Sequence, residues 1–230
     1  MPCYCLPVGL QNRAYCLVMS NKQKMVISDS KFVPPQQEGG KADIVETITA
    51  ANNLQAKRLF VTARDRLFDI ANWGDISRGI SASFQLTDKN GSMKNGLPQV
   101  GDHIRINIPG PGSSAGEGYD WVRIELVQEG NEANKEFAVI KVRPSAAPEK
   151  QKGTAHFFDS AATSSFMVKM EGRHISAEIH GRNEKPNMET EKVTDQIRNF
   201  VVGSAATSGF AKIQWQKLAK GLLNFQATDS

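Results

Sequence analysis

The sequence predicts an α+β domain: an antiparallel sheet of about six to seven strands, with helices before and after it along the chain. Two observations lead to this fold class. Between Gly79 and His180, apolar and polar residues alternate in short runs separated by turn residues, which is typical of antiparallel strands. On either side of that region, apolar residues recur every three or four positions, as they do on one face of a helix.

Two helices are predicted before the main run of strands. Asp43 and Glu46 have the spacing of a capping box, and the apolar residues after them recur at helical intervals. This pattern indicates a first helix over about 44–57. Thr62 is the expected N-cap of a second helix, and Gly74 is expected to end it.

An N-terminal segment over residues 1–40 is predicted to precede the main domain, which takes in residues 41–230. Turn-forming residues at 34–40 mark the boundary between them. Within the N-terminal segment, the apolar runs at 14–19 and at 25–33 are alternative candidates for a first strand.

Six apolar runs are predicted as the consecutive strands of the sheet. They lie near residues 80–86, 103–108, 119–127, 137–142, 157–170 and 175–179. Turn residues separate several of these runs, at Asp88–Gly91, Gly130–Asn131 and Gly172. Short strands joined by such turns favour an antiparallel meander.

Helical periodicity returns after the last predicted strand. One helix is indicated near 193–201. A second carries an apolar stripe that consists of Ala211, Trp215, Leu218 and Leu222. Gly203 and Gly209 are expected to separate these helices or to kink one longer helix. A run of strands closed by such a helix favours a curved sheet with the helix packed on it.

Composition and charge argue against several functional classes. The 230 residues include 28 basic and 24 acidic side chains, and the charges alternate in sign without a long run of Lys or Arg, so no nucleic-acid interface is predicted. No stretch approaches the roughly 20 apolar residues of a membrane span, so integral membrane association is not expected. The N-terminus lacks the pattern of a secretory signal, and a cytoplasmic location is expected.

The three cysteines, Cys3, Cys5 and Cys16, all lie at the start of the chain. Their odd number argues against a disulfide framework for the main domain. Three thiolates suit a soft metal ion, but no fourth Cys or His lies nearby, so unliganded thiols are the favoured interpretation. The sequence predicts neither a metal site nor a cofactor.

Two loops concentrate residue types that bind ligands or partners. Residues 109–118 include four glycines, which suit a phosphate cradle, but a strand follows instead of a helix, so a hairpin or a cavity lid is favoured. Residues 180–187 include Arg182 and Glu184. These two either clamp an anionic ligand or pair with each other to hold the turn, and the pairing is the favoured interpretation.

The segment Arg66–Trp73, followed by strands and by the turn Val100–Asp102, looks like the second helix and early strands of the START-like, or Bet v 1-like, superfamily. The element order also resembles that helix-grip fold, over most of residues 14–223. The resemblance implies an apolar cavity between the sheet and the C-terminal helix. Members mostly bind lipids, sterols, polyketides or other hydrophobic small molecules, and a minority use the cavity for cyclisation or hydrolysis.

Three functions are compatible with these features. The favoured one is the binding or carrying of a hydrophobic or amphipathic, lipid-like small molecule between the sheet and the C-terminal helix. The second is a noncatalytic structural or interaction module that docks a protein partner through residues 109–118 and 180–187. The third is a cavity-based cyclase or hydrolase that uses His103 or His180 beside a carboxylate. No motif nominates a catalytic residue.

Eight residues are predicted to contact the ligand. They combine aromatic side chains, which would line an apolar cavity, with a few polar anchors. The set consists of Trp73, Phe84, His103, Trp121, Phe166, His180, Arg182 and Trp215.

Overall fold

The computed structural model of the protein describes residues 31–78, 82–107, 116–132, 135–150, 154–187 and 204–225. Its strands are β1 (Gly40–Thr49), β2 (Ser83–Thr87), β3 (His103–Asn107), β4 (Asp120–Glu132), β5 (Lys135–Pro144), β6 (Thr163–Glu171) and β7 (His174–Glu184). Its α-helices within these ranges are α1 (Asn53–Phe68), α2 (Trp73–Ile76) and α3 (Ser204–Leu222). The predicted α+β fold class is confirmed.

All seven strands belong to one open, curved antiparallel sheet with the order β1-β7-β6-β5-β4-β3-β2. The meander from β2 to β7 is the one that the sequence predicts, and β1 pairs with the last strand. Gly172 turns the chain between β6 and β7 as expected, with φ at 59°. Gly130, in contrast, lies inside β4 opposite Phe137, whose ring leaves no room for a Cβ there. Cross-strand packing, and not a turn, accounts for this glycine.

Strand β1 occupies the first part of the helix that the sequence predicts over about 44–57, so that prediction is wrong for residues 44–49, whereas residues 53–57 are helical and belong to α1. Ile44, Val45 and Ile48 are β-branched and suit extended backbone. Ile44 and Ile48 face the core, whereas Val45 between them is 55% exposed, as the two-residue period of a strand requires. Asp43, the predicted N-cap, pairs with His180 of β7.

Helix α1 begins after Asn52, whose side chain accepts a hydrogen bond from the backbone N–H of Gln55 at 2.9 Å. Thr62, the predicted N-cap of the second helix, instead lies inside α1. Its hydroxyl donates to the Arg58 carbonyl at 3.1 Å. The buried face of α1 consists of Ala56, Leu59, Phe60, Ala63, Leu67 and Phe68.

A sharp connection joins α1 to α2. Asp69 leaves helical geometry, a single turn of 3-10 helix follows over Ile70–Asn72, and α2 begins at Trp73. Gly74, the predicted end of the second helix, therefore lies within α2. Trp73 is only 1% exposed, and its indole N–H donates to the Leu67 carbonyl at 3.1 Å. This hydrogen bond ties α2 to the last turn of α1.

Helix α3 packs on the face of the sheet that α1 also covers, which we call the inner face. Leu218 and Leu222 of the predicted stripe are fully buried, and Trp215 is half-buried, so this part of the stripe faces the core. Gly209 lies inside α3 and does not interrupt it. The helix predicted near 193–201 lies outside the described residues.

The opposite, outer face of the sheet carries a smaller apolar cluster, made of Phe32, Val33, Phe137, Val139 and Met167. Phe32 and Phe137 contact each other, with ring centroids 5.1 Å apart, and the Ser165 hydroxyl donates to the Phe32 carbonyl at 2.7 Å. The chain just before β1 therefore covers part of the outer face. The candidate strand at 14–19, and most of the one at 25–33, lie outside the described residues.

The end of α3 touches the end of α2 through a glycine. A Cβ on Gly221 would overlap the backbone carbonyl of Ile76 and lie 3.2 Å from the Ser77 Cα. Across the same junction, the Arg66 guanidinium donates to the carbonyls of Leu222 and Asn224 at 3.3 and 2.9 Å. Arg66 thereby satisfies carbonyls that the end of a helix leaves without partners.

Replacing this glycine tests whether the close approach positions α3. Gly221→Ala should lower the free energy of unfolding by about 1–3 kcal/mol, because the backbone of α2 cannot yield as a flexible side chain would. This is opposite in sign to the gain of about 1 kcal/mol that Ala gives over Gly in a helix interior. Urea unfolding measures the change, with exposed Lys212→Ala in the same helix as the neutral control. A stabilised Gly221→Ala protein would contradict the packing described.

Candidate functional site

A cleft of about 380 Å³ lies between the edge strand β1, the end of α2 and the last turn of α3. Small-molecule sites in proteins have volumes of about 300–1,000 Å³, so the cleft is large enough for one. It opens beside the contact between Gly221 and Ile76, and both residues line it. The junction of α2 and α3 therefore shapes the cleft directly.

The lining of the cleft is part apolar and part cationic. Ile48, Ile76 and Leu223 supply its apolar surface. Its cationic side chains are Arg78, Lys217 and Lys220. Such a combination suits a molecule with an apolar body and a polar or charged end.

One carboxylate, that of Glu46, also lines the cleft. Glu46 accepts a hydrogen bond from the Gln216 side chain at 3.3 Å, and the Lys220 ammonium lies 3.9 Å away. These contacts link β1 to α3 across one wall. They also partly neutralise the only negative charge among the described lining residues.

Arg78 has an unusual backbone conformation, with φ at 38°. Among the described residues, only Glu117 and Asn183 also have positive φ without being glycine. This conformation costs roughly 1–3 kcal/mol for a residue with a Cβ. Arg78 follows Ser77, the C-cap of α2, and its backbone N–H donates to the Asp75 carbonyl at 3.3 Å.

Four of the predicted ligand contacts come together inside the protein. Trp73 lies 5.6 Å from Phe84 and 4.8 Å from Phe166, measured between ring centroids. Trp215 of α3 completes the group at 6.4 Å from Phe84 and 5.2 Å from Phe166. The four rings pack against each other between the sheet and α3, and none of them lines the cleft. Their predicted contact with a ligand stays a prediction.

Two further predicted contacts, His103 and Trp121, lie together elsewhere. Their rings are 6.4 Å apart in an edge-to-face arrangement, and Trp121 packs with Ala147 and Ala155. Within the described residues, neither His103 Nδ1 nor Trp121 Nε1 has a hydrogen-bond partner. Burial lowers the pKa of His103, so its ring is neutral at physiological pH.

His180 lies on the outer face of the sheet between two carboxylates. Its Nδ1 is 2.6 Å from Asp43 Oδ1, and its Nε2 is 3.2 Å from Glu178 Oε2. Glu178 also accepts hydrogen bonds from Lys169 and Ser176, both at 2.8 Å. A neutral imidazole has only one N–H, so carboxylates at both nitrogens favour the charged ring. Both ring nitrogens are thus engaged within the protein.

Arg182, the last of the predicted contacts, joins the same cluster. Its Nη2 lies 2.6 Å from Asp43 Oδ1, and its Nη1 donates to the carbonyls of Ala42 and Gly181 at 3.0 and 2.7 Å. Arg182 therefore forms its ion pair with Asp43 and not with Glu184, the partner that the sequence predicts. Because β1 lies beside β7, a carboxylate distant in sequence is closer than one two residues away. Arg182 holds these strands together and does not line the cleft.

Asp120 is a site of unusual electrostatics that the sequence did not reveal. It is 6% exposed at the start of β4, and burial raises its pKa to about 7. The backbone N–H of Phe157 donates to it and only partly opposes that rise. No sequence pattern could indicate this, because the carboxyl is buried by segments distant along the chain.

The cleft residues were also missed, since they come from three separate segments with no shared motif. The only local signal was Gly221, a glycine within a strongly helical pattern, which often marks close packing. The cysteines and most of the glycine-rich loop at 109–118 lie outside the described residues, so their predicted roles are not tested. Within the described ranges, no three His, Cys, Asp or Glu side chains are grouped to hold a metal ion. None of the helices described there is long and apolar enough to cross a bilayer.

The sequence matches no protein-family model and no curated protein sequence. Similar solved structures include a hypothetical protein, jhp0584, from Helicobacter pylori, with 8% identity and a TM-score of 0.45 over 83% of this chain and 92% of that one. A norcoclaurine synthase from Thalictrum flavum has 12% identity and a TM-score of 0.36, over 84% and 96% of the two chains. Major latex-like protein 151 from Panax ginseng has 12% identity and a TM-score of 0.34, over 81% and 100%.

These neighbours include Bet v 1-like proteins, the class that the sequence resembles, at low identity. Similarity this distant assigns neither a family nor a function to the chain. The fold class rests on the chain's own strand order and on the placement of its C-terminal helix.

The cluster around His180 makes the stability of the protein depend on pH. Burial alone would lower the pKa of His180, but the hydrogen bonds to Glu178 and Asp43 outweigh it and raise the pKa. This stabilisation is complete below the unfolded-state pKa of 6.5 and is lost as pH rises through the higher folded-state pKa. Urea unfolding across that range should show the loss for the native protein and little of it for His180→Gln. Exposed His174→Gln is the matched control, and an equal pH dependence in all three proteins would contradict the prediction.

Asp120 should destabilise the folded protein at alkaline pH. Its folded-state pKa of about 7 exceeds the ordinary pKa of 3.8 for an aspartic acid side chain, so stability falls as pH rises between these values. Asp120→Asn keeps an acceptor for the Phe157 N–H and should raise the free energy of unfolding by about 2–4 kcal/mol at about pH 8. Exposed Asp65→Asn should leave it nearly unchanged. A destabilised Asp120→Asn protein at this pH would show that the ionised carboxylate has a favourable partner.

Proposed function

We propose that the protein binds a small amphipathic molecule in the cleft between β1, α2 and α3. The observation that carries this proposal is the cleft itself, which has a volume of about 380 Å³ and both apolar and cationic lining. It lies between the edge of the sheet and the C-terminal helix. The proposal therefore keeps the class of ligand expected from the sequence and moves its site from the interior to the edge.

The apolar part of the ligand would lie against Ile48, Ile76 and Leu223. Covering apolar surface stabilises a complex by about 25 cal/mol per Å², less the costs of association. Ile48 and Ile76 are half-buried in the free protein, so each retains surface that a ligand can cover.

The aromatic interior is a less suitable site. Trp73, Phe84 and Phe166 are each 5% exposed or less and already contact one another. Interiors packed in this way resist the entry of extra atoms, and overpacking costs about 1–3 kcal/mol. A ligand in the cleft requires no such displacement.

The cleft favours binding over catalysis. Its described lining contains no histidine or cysteine, and the one buried hydroxyl, that of Ser77, donates to the Trp73 carbonyl at 2.5 Å. A nucleophile needs an adjacent base to be activated. Such a pair is missing from the described lining, which supports a carrier or a sensor more than a cyclase or a hydrolase.

Docking of a partner at residues 180–187 has less support. The Asn183 side chain accepts hydrogen bonds from the backbone N–H groups of Gln37 and Glu38, at 2.8 and 3.3 Å. Asn187 donates to the carbonyls of Thr154 and His156 at 2.8 and 3.1 Å. The chain's own neighbouring segments therefore already use much of the hydrogen-bonding capacity of this loop.

A variant that fills the cleft tests the proposal. Asn224 lines the cleft, its side chain is exposed, and the hydrogen bond from Arg66 goes to its backbone carbonyl, so Asn224→Trp should fold normally. Calorimetry with single-chain amphiphiles of negative, neutral and positive charge should show saturable binding to the native protein. Asn224→Trp should weaken that binding at least about tenfold, equivalent to 1.4 kcal/mol.

The matched control is Leu54→Trp, which adds the same ring at an exposed position of α1 outside the cleft. It should bind as the native protein does. Two results would contradict the proposal: binding of no amphiphile by the native protein, or equal binding by the two tryptophan variants.

A further inference from the structure

The charges of the cleft point to a particular class of ligand. Resting on the function proposed above, we infer that the cleft selects amphiphiles with an anionic head group, such as a carboxylate or a phosphate monoester. Arg78 and Lys220 are the residues that would contact the head group. The alkyl part would lie against Ile48 and Ile76, which are half-buried.

The described lining residues have an excess of positive charge. Among them, three cationic side chains face one carboxylate, and that carboxylate, Glu46, is already contacted by Gln216 and Lys220. Arg78 is exposed and has no carboxylate partner within the described residues. An anion in the cleft could therefore pair with this guanidinium group without breaking an existing ion pair with a carboxylate.

The backbone of Arg78 supports this assignment independently. At a φ of 38°, glycine would be free of the strain that a residue with a Cβ carries. The protein nevertheless has an arginine there, at the edge of the cleft. No contact described for Arg78 requires an arginine at this position. A contact between its positive charge and an anionic ligand would explain why an arginine is present there.

The apolar surface beside the cations distinguishes an amphiphile from a simple anion. Exposed charges are screened by salt, so an isolated carboxylate or phosphate gains little from them. An alkyl chain adjacent to the head group adds burial against Ile48 and Ile76, which supplies affinity that charge alone does not. The ligand needs both parts.

Calorimetry below the micelle concentration tests the inference with dodecanoate, dodecyl phosphate and neutral dodecanol. The two anions should bind the native protein about five- to tenfold more tightly than the alcohol. Arg78→Gly should remove most of this preference, because the affinity for the anions should fall much further than the affinity for dodecanol. Because it also relieves the backbone strain, Arg78→Gly should melt about 2–4 °C higher than the native protein, which separates lost binding from misfolding.

Two controls isolate the position of the charge. Arg78→Lys keeps a cation at the cleft and should retain the preference for anions. Lys212→Gln removes a cation from an exposed part of α3 outside the cleft and should also retain it. If Lys212→Gln loses as much of the preference for anions as Arg78→Gly does, the preference depends on the net charge of the protein and not on the cleft. That result would overturn the inference.

The remaining outcomes separate the inference from the proposed function. If dodecanol binds as tightly as dodecanoate, the selectivity is overturned and the binding function stands. If acetate and inorganic phosphate bind as tightly as their dodecyl counterparts, the cleft is an anion site without an alkyl subsite, which overturns the inference. If no amphiphile binds, both the inference and the proposed function are wrong.

Discussion

The position of α3 depends on the contact between Gly221 and the end of α2. The backbones of the two helices touch there because glycine has no Cβ, and Arg66 of α1 holds the adjacent carbonyls of Leu222 and Asn224. This junction brings Leu218 and Leu222 into the core. The cleft lies beside this junction and is bounded by β1, the end of α2 and the last turn of α3.

Different interactions stabilise the two faces of the sheet. The inner face packs Phe84 and Phe166 against Trp73 and Trp215, which makes the region beneath α3 part of the core. On the outer face, ion pairs add to the small apolar cluster, and the Asp43–His180–Glu178 cluster links β1 to β7 there. Rigid packing on one side and ion pairs on the other leave the cleft beside β1 as the place where a ligand requires the least rearrangement.

The sequence predicts those parts of the molecule that local patterns determine. The strands from β2 to β7 alternate with a two-residue period, and the buried positions of α3 follow a helical stripe, so both were found. Ile44, Val45 and Ile48 fit a helix and a strand equally well, and only pairing with β7 decides between them. The cleft joins residues from three segments, and neither the φ of Arg78 nor the backbone contact of Gly221 follows from neighbouring residues. These features arise from tertiary packing, which no short window of sequence contains.

A titration of the protein with dodecanoate, followed by proton–nitrogen correlation NMR, tests binding in the cleft most directly. We expect saturable shifts of the backbone amides of Thr47, Ser77 and Asn224, which line the cleft from its three sides. The amides of Ser176 and Lys169 on the outer face should stay unchanged. Shifts confined to the outer face, or to Trp73 and Phe84 in the interior, would contradict binding in the cleft.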